Sequence, residues 1–239
     1  MIEYWNRKTV AFMADAAEYC SFHRDLAEII LSYLPGEGNV CEAGCGLGYL
    51  SRELANSCKQ VTAADCSRDA IDHLLSKPLP ENLKVCCTDA FHLEEAFDAM
   101  VFCYFGRIED ILRIAKRACK GTVVVAKRNC EAHRFSLSRE NAALHRDEAG
   151  ALLTKKGIPF EKKSIALEFG QPFRSVEDAV SFFQLYDRTG VPVTREAVEA
   201  RLQAIDHPVF SWYLPSLREM NLYVFEAKKI PGAEEKSEN

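Results

Sequence analysis

Between Tyr4 and Leu34 apolar side chains recur at helical spacing, first Val10, Met13 and Ala17, then Phe22, Leu26, Ile29, Ile30 and Tyr33. This predicts two helices, the second capped by Ser21 and ended by Pro35-Gly36. Beyond that turn the period changes. Short runs that are apolar almost throughout follow at Asn39–Ala43, Gln60–Ala64, Asn82–Cys87, Asp98–Tyr104 and Gly121–Ala126. Runs of that length and character predict strands covered on both faces. Amphipathic stretches separate them at Leu50–Ser57, Ser67–Leu75, Ile108–Cys119 and, briefly, Phe91–Ala96. Strands joined by helical crossovers predict an α/β fold with an open parallel sheet.

The second half breaks this rhythm. A helix is predicted over Asn141–Lys155, a strand over Phe160–Phe169, two helices over Ser175–Tyr186 and Thr194–Ile205, and a closing strand over Leu222–Ala227. The tail from Pro231 to Asn239 carries no apolar anchor and is expected to be disordered.

Length and composition narrow the class without naming a function. With 239 residues, 48% of them hydrophobic, the chain suffices for one large domain or a domain with a cap. Thirty basic against thirty-five acidic side chains leave a net charge of -5, which argues against general binding of a phosphate backbone. The start of the chain is charged where a signal peptide needs an apolar run, and no window reaches a membrane-spanning length; a cytoplasmic protein is expected. The ten cysteines lie mostly inside strand-like or helical runs and read as reduced thiols. Neither Cys41-x-x-x-Cys45 nor Cys86-Cys87 has a usual zinc spacing, so no metal is expected.

The most informative segment ends the first predicted strand, Glu42-Ala43-Gly44-Cys45-Gly46-Leu47-Gly48. Glycines at alternating positions between a strand and a helix remove Cβ atoms where the chain turns sharply and a ligand approaches the backbone. The dinucleotide fingerprint Gly-x-Gly-x-x-Gly fails, since its third glycine would fall on Tyr49 or, counted from Gly46, on Ser51. No Gly-Lys-Ser/Thr ending for a P-loop follows either.

This acidic-x-Gly-x-Gly-x-Gly segment closely resembles motif I of the class I S-adenosylmethionine-dependent methyltransferases. The resemblance runs from about Gly38 to Lys228 and is strongest from Glu42 to Ala126. It implies a Rossmann-like, doubly wound, mostly parallel seven-stranded sheet. It also implies a glycine loop, Gly44, Cys45, Gly46 and Gly48, packed against the methionine portion of the cofactor, with Glu42 ordering the loop. A carboxylate beside a cationic sulfonium is attractive, whereas beside a pyrophosphate it would repel. Asp65, ending the second strand, falls where the family binds the ribose hydroxyls, with Cys66 as a neighbour. Asp89 and Ala90 fall where it binds adenine, although Asp89 also suits a helix N-cap.

The acceptor is expected at the end of the fourth strand, where Tyr104, a candidate catalytic and cofactor-binding residue, and Phe105 offer π faces to the sulfonium or the acceptor, with packing on the sheet as the plainer alternative; Asn/Asp-Pro-Pro-Tyr/Phe is absent there, and methylation of an exocyclic base nitrogen is thereby disfavoured. His23 and His133 are the candidate bases, and Arg107 and Arg128 the candidates for holding an acidic acceptor, with solvated ion pairs as the plainer alternative. Tyr4, Trp5, Phe183 and Tyr186 supply aromatic surface for an acceptor. The stretch Phe169-Gly170-Gln171-Pro172-Phe173-Arg174-Ser175 resembles stand-alone small-molecule methyltransferases with helices inserted between strands six and seven. The expected organisation is an N-terminal helical lid at 1–37, a core at 38–229 with a helical insertion at about 175–206, and a disordered tail at 230–239. A small-molecule acceptor is the expected partner, without membrane or nucleic acid, and a homodimer stays open. The alternatives are an RNA or protein methyltransferase, a nicotinamide or flavin oxidoreductase, and a non-catalytic cofactor-binding scaffold.

Overall fold

The computed structural model describes residues 5–129, 147–187 and 190–232. Two helices come first, α1 (Arg7–Tyr19) and α2 (Phe22–Leu31). Asn6 caps α1, its side chain accepting the N–H groups of Lys8 and Thr9 while the Thr9 hydroxyl receives the Asn6 N–H in return. Ser21 makes no such cap on α2; its hydroxyl donates to the Asp25 carboxylate instead.

Strand and helix then alternate through β1 (Asn39–Ala43), α3 (Tyr49–Ala55), β2 (Gln60–Asp65), α4 (Arg68–Leu75) and β3 (Leu83–Cys87). A single 3-10 turn at Ala90–His92 leads to β4 (Phe97–Cys103), α5 (Ile108–Ala118) and β5 (Cys119–Arg128). After α6 (Glu148–Lys155) and β6 (Glu161–Glu168) the chain enters an insertion of β7 (Gln171–Phe173), α7 (Val176–Tyr186), α8 (Arg195–Glu199), β8 (Gln203–Ala204) and β9 (Trp212–Leu214). It then returns to the sheet as β10 (Leu217–Glu226). The seven-stranded sheet has the order β3-β2-β1-β4-β5-β10-β6, with β10 antiparallel to both neighbours.

Successive residues of the central strands feed opposite cores, as the pleat requires. Ala99 and Val101 of β4 join Leu26, Leu54 and Ile71 on the face covered by α2, α3 and α4, whereas Met100 and Phe102 join Ile111, Ala115 and Leu153 under α5 and α6. Helix α5 follows the same logic, burying Ile108, Ile111, Leu112 and Ala115. Acidic residues in its first turn and basic ones in its last oppose the helix dipole.

The insertion has its own core of Phe173, Ala179, Phe182, Phe183, Val198 and Leu214, and Phe12 of α1 completes it. Gln171 donates to the Phe12 carbonyl at 2.9 Å, and Arg174 forms a forked ion pair with Asp15 at 2.5 and 2.9 Å. Helix α1 and the insertion are therefore held as one body.

The helix predicted over Thr194–Ile205 stops at Glu199, because Gln203 and Ala204 pair with β9. That three-stranded sheet, β7-β9-β8, has strands too short to show an alternation in sequence. The helix predicted at Phe91–Ala96 is reduced to the 3-10 turn, and β4 ends before Tyr104, whose φ of 54° leaves the extended region. The closing strand begins at Leu217, five residues earlier than predicted at Leu222. Ile230, assigned to the tail, is buried against α5 and β5. Residues 141–146 of the helix predicted over 141–155, and 233–239 of the tail, lie outside the described residues.

Phe182 packs against Phe12, Phe173, Phe183 and Tyr186 in the insertion core and is not among the residues lining the cavity beside the glycine loop, described below. Phe182→Ala should therefore lower stability by about 3–5 kcal/mol in urea unfolding while leaving ligand binding by the folded protein intact; loss of both together would contradict a separate insertion core.

Candidate active site

The turn after β1 is hung from β2. Gly44 and Cys45 both donate their N–H groups to the Ala64 carbonyl, at 2.7 and 3.0 Å, and Gly46 donates to Asp65 Oδ2 at 2.8 Å. Gly44, Gly46 and Gly48 all have positive φ, at 75°, 55° and 73°. A Cβ on Gly44 would lie 2.4 Å from the Phe105 ring, and one on Gly46 2.8 Å from the Trp5 indole. The bare loop thus brings Trp5 from one side and Phe105 from the other onto the same backbone.

Asp65 is set for two further bonds. Its Oδ1 accepts the Ser67 N–H at 2.8 Å, so each carboxylate oxygen spends one lone pair on a backbone donor and keeps another. At the end of β3, Asp89 accepts the Phe91 N–H at 2.9 Å and caps the 3-10 turn, while still lining the cavity.

Glu42 is buried and accepts the Ser51 hydroxyl. Burial, reinforced by the neighbouring Asp65 charge and opposed by the Ser51 bond, pushes its carboxyl up to about 8. Burial raises the thiols of Cys41, Cys45 and Cys103 as well, leaving them protonated and inert, and all the described cysteines are free.

These residues wall a cavity of about 520 Å³ at the carboxyl ends of the strands. Its lining includes Trp5, His23, Glu42, Gly44, Cys45, Gly46, Gly48, Asp65, Cys66, Asp89, Ala90, Tyr104, Phe105 and Arg128, all candidates from sequence. Arg107 is not in the wall; it pairs with Glu109 on the neighbouring groove. Phe183 is fully buried in the insertion core, and Tyr186 packs against the same cluster. Both were expected at the acceptor and are kept from it by their own packing. Tyr4 and His133 lie outside the described residues.

Sequence reasoning missed Phe22, Met13, Thr88 and, above all, Arg218. The antiparallel run of β10 puts its beginning beside the ends of β4 and β5, with Met220 opposite Arg128 and Arg218 two residues further out. The guanidinium carbon of Arg218 lies 4.2 Å from the Phe169 ring centre and 5.0 Å from those of Phe22 and Tyr104, and that of Arg128 lies 5.5 Å from Tyr104. The Tyr104 ring, expected to face the sulfonium or the acceptor, is flanked by two guanidinium groups. His23 stacks on Tyr49 and meets Phe22 and Phe169 edge-on. Burial and the Arg218 charge push its imidazole down to about 3, so the ring is neutral at physiological pH.

The donor set suits a nucleoside that carries positive charge and no phosphate. Three carboxyls face the β1–β3 part of the cavity, and among the described lining residues the only arginines or lysines, Arg128 and Arg218, stand on β5 and β10. A pyrophosphate against Asp65 would be repelled, and a cation there favours the charged form of Glu42 against its burial.

Because the folded chain holds the Glu42 proton more tightly than the unfolded chain, this group's stabilisation is fully present below about pH 4.5 and is lost as pH rises through about 8. Glu42→Gln, which cannot titrate, should match the parent near the lower limit and exceed it in stability above the upper one. Urea unfolding across that range checks this, and parallel curves would rule out a raised Glu42.

A family model described as a methyltransferase domain matches residues 40–122, from β1 into β5. No curated protein matches the chain in sequence. Among solved structures, the YcgJ protein of Bacillus subtilis is similar at 15% identity and a TM-score of 0.53, covering 85% of this chain and 97% of that one. A precorrin 8w decarboxylase from Methanobacterium thermoautotrophicum is similar at 18% identity and a TM-score of 0.51, covering 84% and 89%. A cyclopropane-fatty-acyl-phospholipid synthase-like protein from Lactobacillus casei gives 17% and 0.51, covering 92% and 94%. At these identities the likeness is one of fold. The match spans the glycine loop and the ends of β2 and β3, so residues 40–122 carry a methyltransferase domain, set in a Rossmann-like seven-stranded fold.

Proposed function

We propose that the enzyme methylates a small-molecule acceptor held between α2 and the ends of β4, β5 and β10. The observation that carries this reading is the cavity itself. At about 520 Å³, with Trp5, Phe22, Tyr104 and Phe105 in its walls, it falls within the roughly 300–1,000 Å³ of small-molecule sites. The same cavity joins the glycine loop to the aromatic corner, so cofactor and acceptor share one enclosure.

In this reading Glu42 and the loop Gly44, Cys45, Gly46 and Gly48 hold the methionine portion. Asp65, with Cys66 beside it, takes the ribose hydroxyls on its remaining lone pairs, and Asp89 and Ala90 take adenine. S-adenosylmethionine, when bound, supplies an electrophilic methyl on a sulfonium and is left as the neutral thioether of S-adenosylhomocysteine. The chain's task is then alignment and exclusion of water, with proton removal if the acceptor is a hydroxyl or an ammonium. Phe105, packed on Gly44, and Tyr104 set the wall at the transfer end. His23, with an imidazole near 3, is a weak base and suits a hydrogen-bonding role toward the acceptor. Helix α1 and the insertion, joined through Phe12 and the Arg174–Asp15 pair, serve as the cover.

Two results test this. Asp65→Ala should weaken S-adenosylhomocysteine binding by about 1–3 kcal/mol in calorimetry, through loss of a charge-assisted pair of hydrogen bonds; unchanged affinity would remove Asp65 from the ribose. Supplied with deuteromethyl S-adenosylmethionine and a cell extract divided by ultrafiltration, the enzyme should label the filtrate. Label confined to retained protein or RNA would replace the small-molecule reading with a macromolecular one.

A further inference from the structure

Strand β4 leaves the sheet through a strained turn. Tyr104 is the one non-glycine residue with positive φ among the described residues, at 54°, and Gly106 follows at 28°. Left-handed backbone is disfavoured for a bulky side chain and persists where the surrounding structure imposes it. Three hydrogen bonds do so here. The Tyr104 N–H donates to the Ala126 carbonyl of β5 at 3.0 Å, and the carbonyls of the next two residues, Phe105 and Gly106, both accept from Nζ of Lys127 on the same strand. The Phe105 ring is in turn seated on Gly44, where a Cβ would lie 2.4 Å from it.

Lys127 is placed against its own electrostatics. It is half-buried, one residue past the pairing of Cys103 with Ala126, and stands outside the cavity wall. Its ammonium meets the residues just before α5, at the positive end of that helix's dipole, where a cation is unfavourable. Burial pulls the ammonium below the usual lysine range, opposed by the charges of Asp110 and Glu109 in the first turn of α5 and by Cys103. Strand pairing asks for no charge there, since β5 pairs through its backbone. What the position gains is two carbonyls held by one side chain, in the turn that presents Tyr104 and Phe105 to the cavity.

We propose that Lys127 is a positioning residue for methyl transfer: by gripping the Phe105 and Gly106 carbonyls it holds Tyr104 left-handed and Phe105 on Gly44, and so fixes the wall at which cofactor and acceptor meet. Lys127 stands outside the cavity and acts through Tyr104 and Phe105. The glycine loop is hung separately from Ala64 and Asp65 of β2, so loss of Lys127 frees the wall and leaves the cofactor's side in place. The inference rests on the reading that transfer occurs in this cavity, and adds to it the residue that keeps the aromatic wall in position.

The experiment compares the full chain with Lys127→Met and Lys127→Arg. Lys127→Met should bind S-adenosylhomocysteine as the parent does in calorimetry, which shows that it folds. At saturating cofactor it should nevertheless transfer deuteromethyl label to the low-mass filtrate of a cell extract at least about tenfold more slowly, a loss within reach of a reacting geometry displaced by about an ångström. Lys127→Arg, which keeps a cationic donor, should stay nearer the parent. Protein labelled with fluorotyrosine reads the wall directly. The Tyr104 fluorine resonance, assigned by its loss in Tyr104→Phe and sensitive to the two guanidinium groups that flank the ring, should move in Lys127→Met and hold in Lys127→Arg.

A Tyr104 resonance unmoved by Lys127→Met would overturn the proposal. So would a resonance that moves while the transfer rate stays, since Lys127 would then serve the fold alone. Loss of S-adenosylhomocysteine binding in step with the rate would trace the defect to the glycine loop and overturn it as well, and Lys127→Arg behaving as Lys127→Met would overturn the need for a cationic donor. A parent that labels only retained protein or RNA would bring down the small-molecule reading and not this one, which the rate of that labelling and the fluorine resonance then decide. A parent that neither binds S-adenosylhomocysteine nor transfers label would bring down the site reading beneath both.

Discussion

The tether between the glycine turn and β2 governs the geometry of the site. Ala64 receives two N–H groups from the turn and Asp65 a third, so the loop cannot move without breaking bonds to the neighbouring parallel strand. The turn that makes those bonds has left-handed backbone at Gly44, Gly46 and Gly48, and the missing Cβ atoms at Gly44 and Gly46 let Phe105 and Trp5 close on the loop. The same Asp65 that secures the loop keeps the lone pairs proposed for the ribose. Loop position and the orientation of the Asp65 carboxylate are thus set by one hydrogen-bond network.

Around that network the sheet order distributes charge. Parallel strands β3, β2, β1 and β4 all end at the same edge, and the first three each deliver a carboxyl there. Strand β10 runs the other way, so its beginning meets their ends and delivers Arg218. The buried Glu42, held near 8 by desolvation, sits in the acidic half where a cation relieves it, and the neutral His23 sits in the basic half.

The central α/β pattern was legible because its cause is local. Strands buried on both faces must be apolar throughout, and α5 must be apolar on one stripe, so β1 was read with its observed ends and the other parallel strands to within a few residues. The insertion was legible only in part. Its strands of two and three residues exist because β9 pairs with β7 and β8, and nothing in Gln203-Ala204 states that preference alone. Phe183 and Tyr186 looked available for a ligand because aromatic residues in a helix do not declare which side they bury.

The spacing of three glycines after a buried strand, an acidic residue before them and carboxylates following the next two strands are properties of the sequence, and they determined the fold class and the acidic half of the cavity. The aromatic and basic half was decided by tertiary structure. Tyr104, Arg128, Arg218 and His23 come from four separated segments, and only the antiparallel return of β10 and the packing of α2 over the sheet edge bring them into one wall. Local pattern encodes what a segment buries; the direction in which a strand re-enters the sheet fixes which residues share a surface.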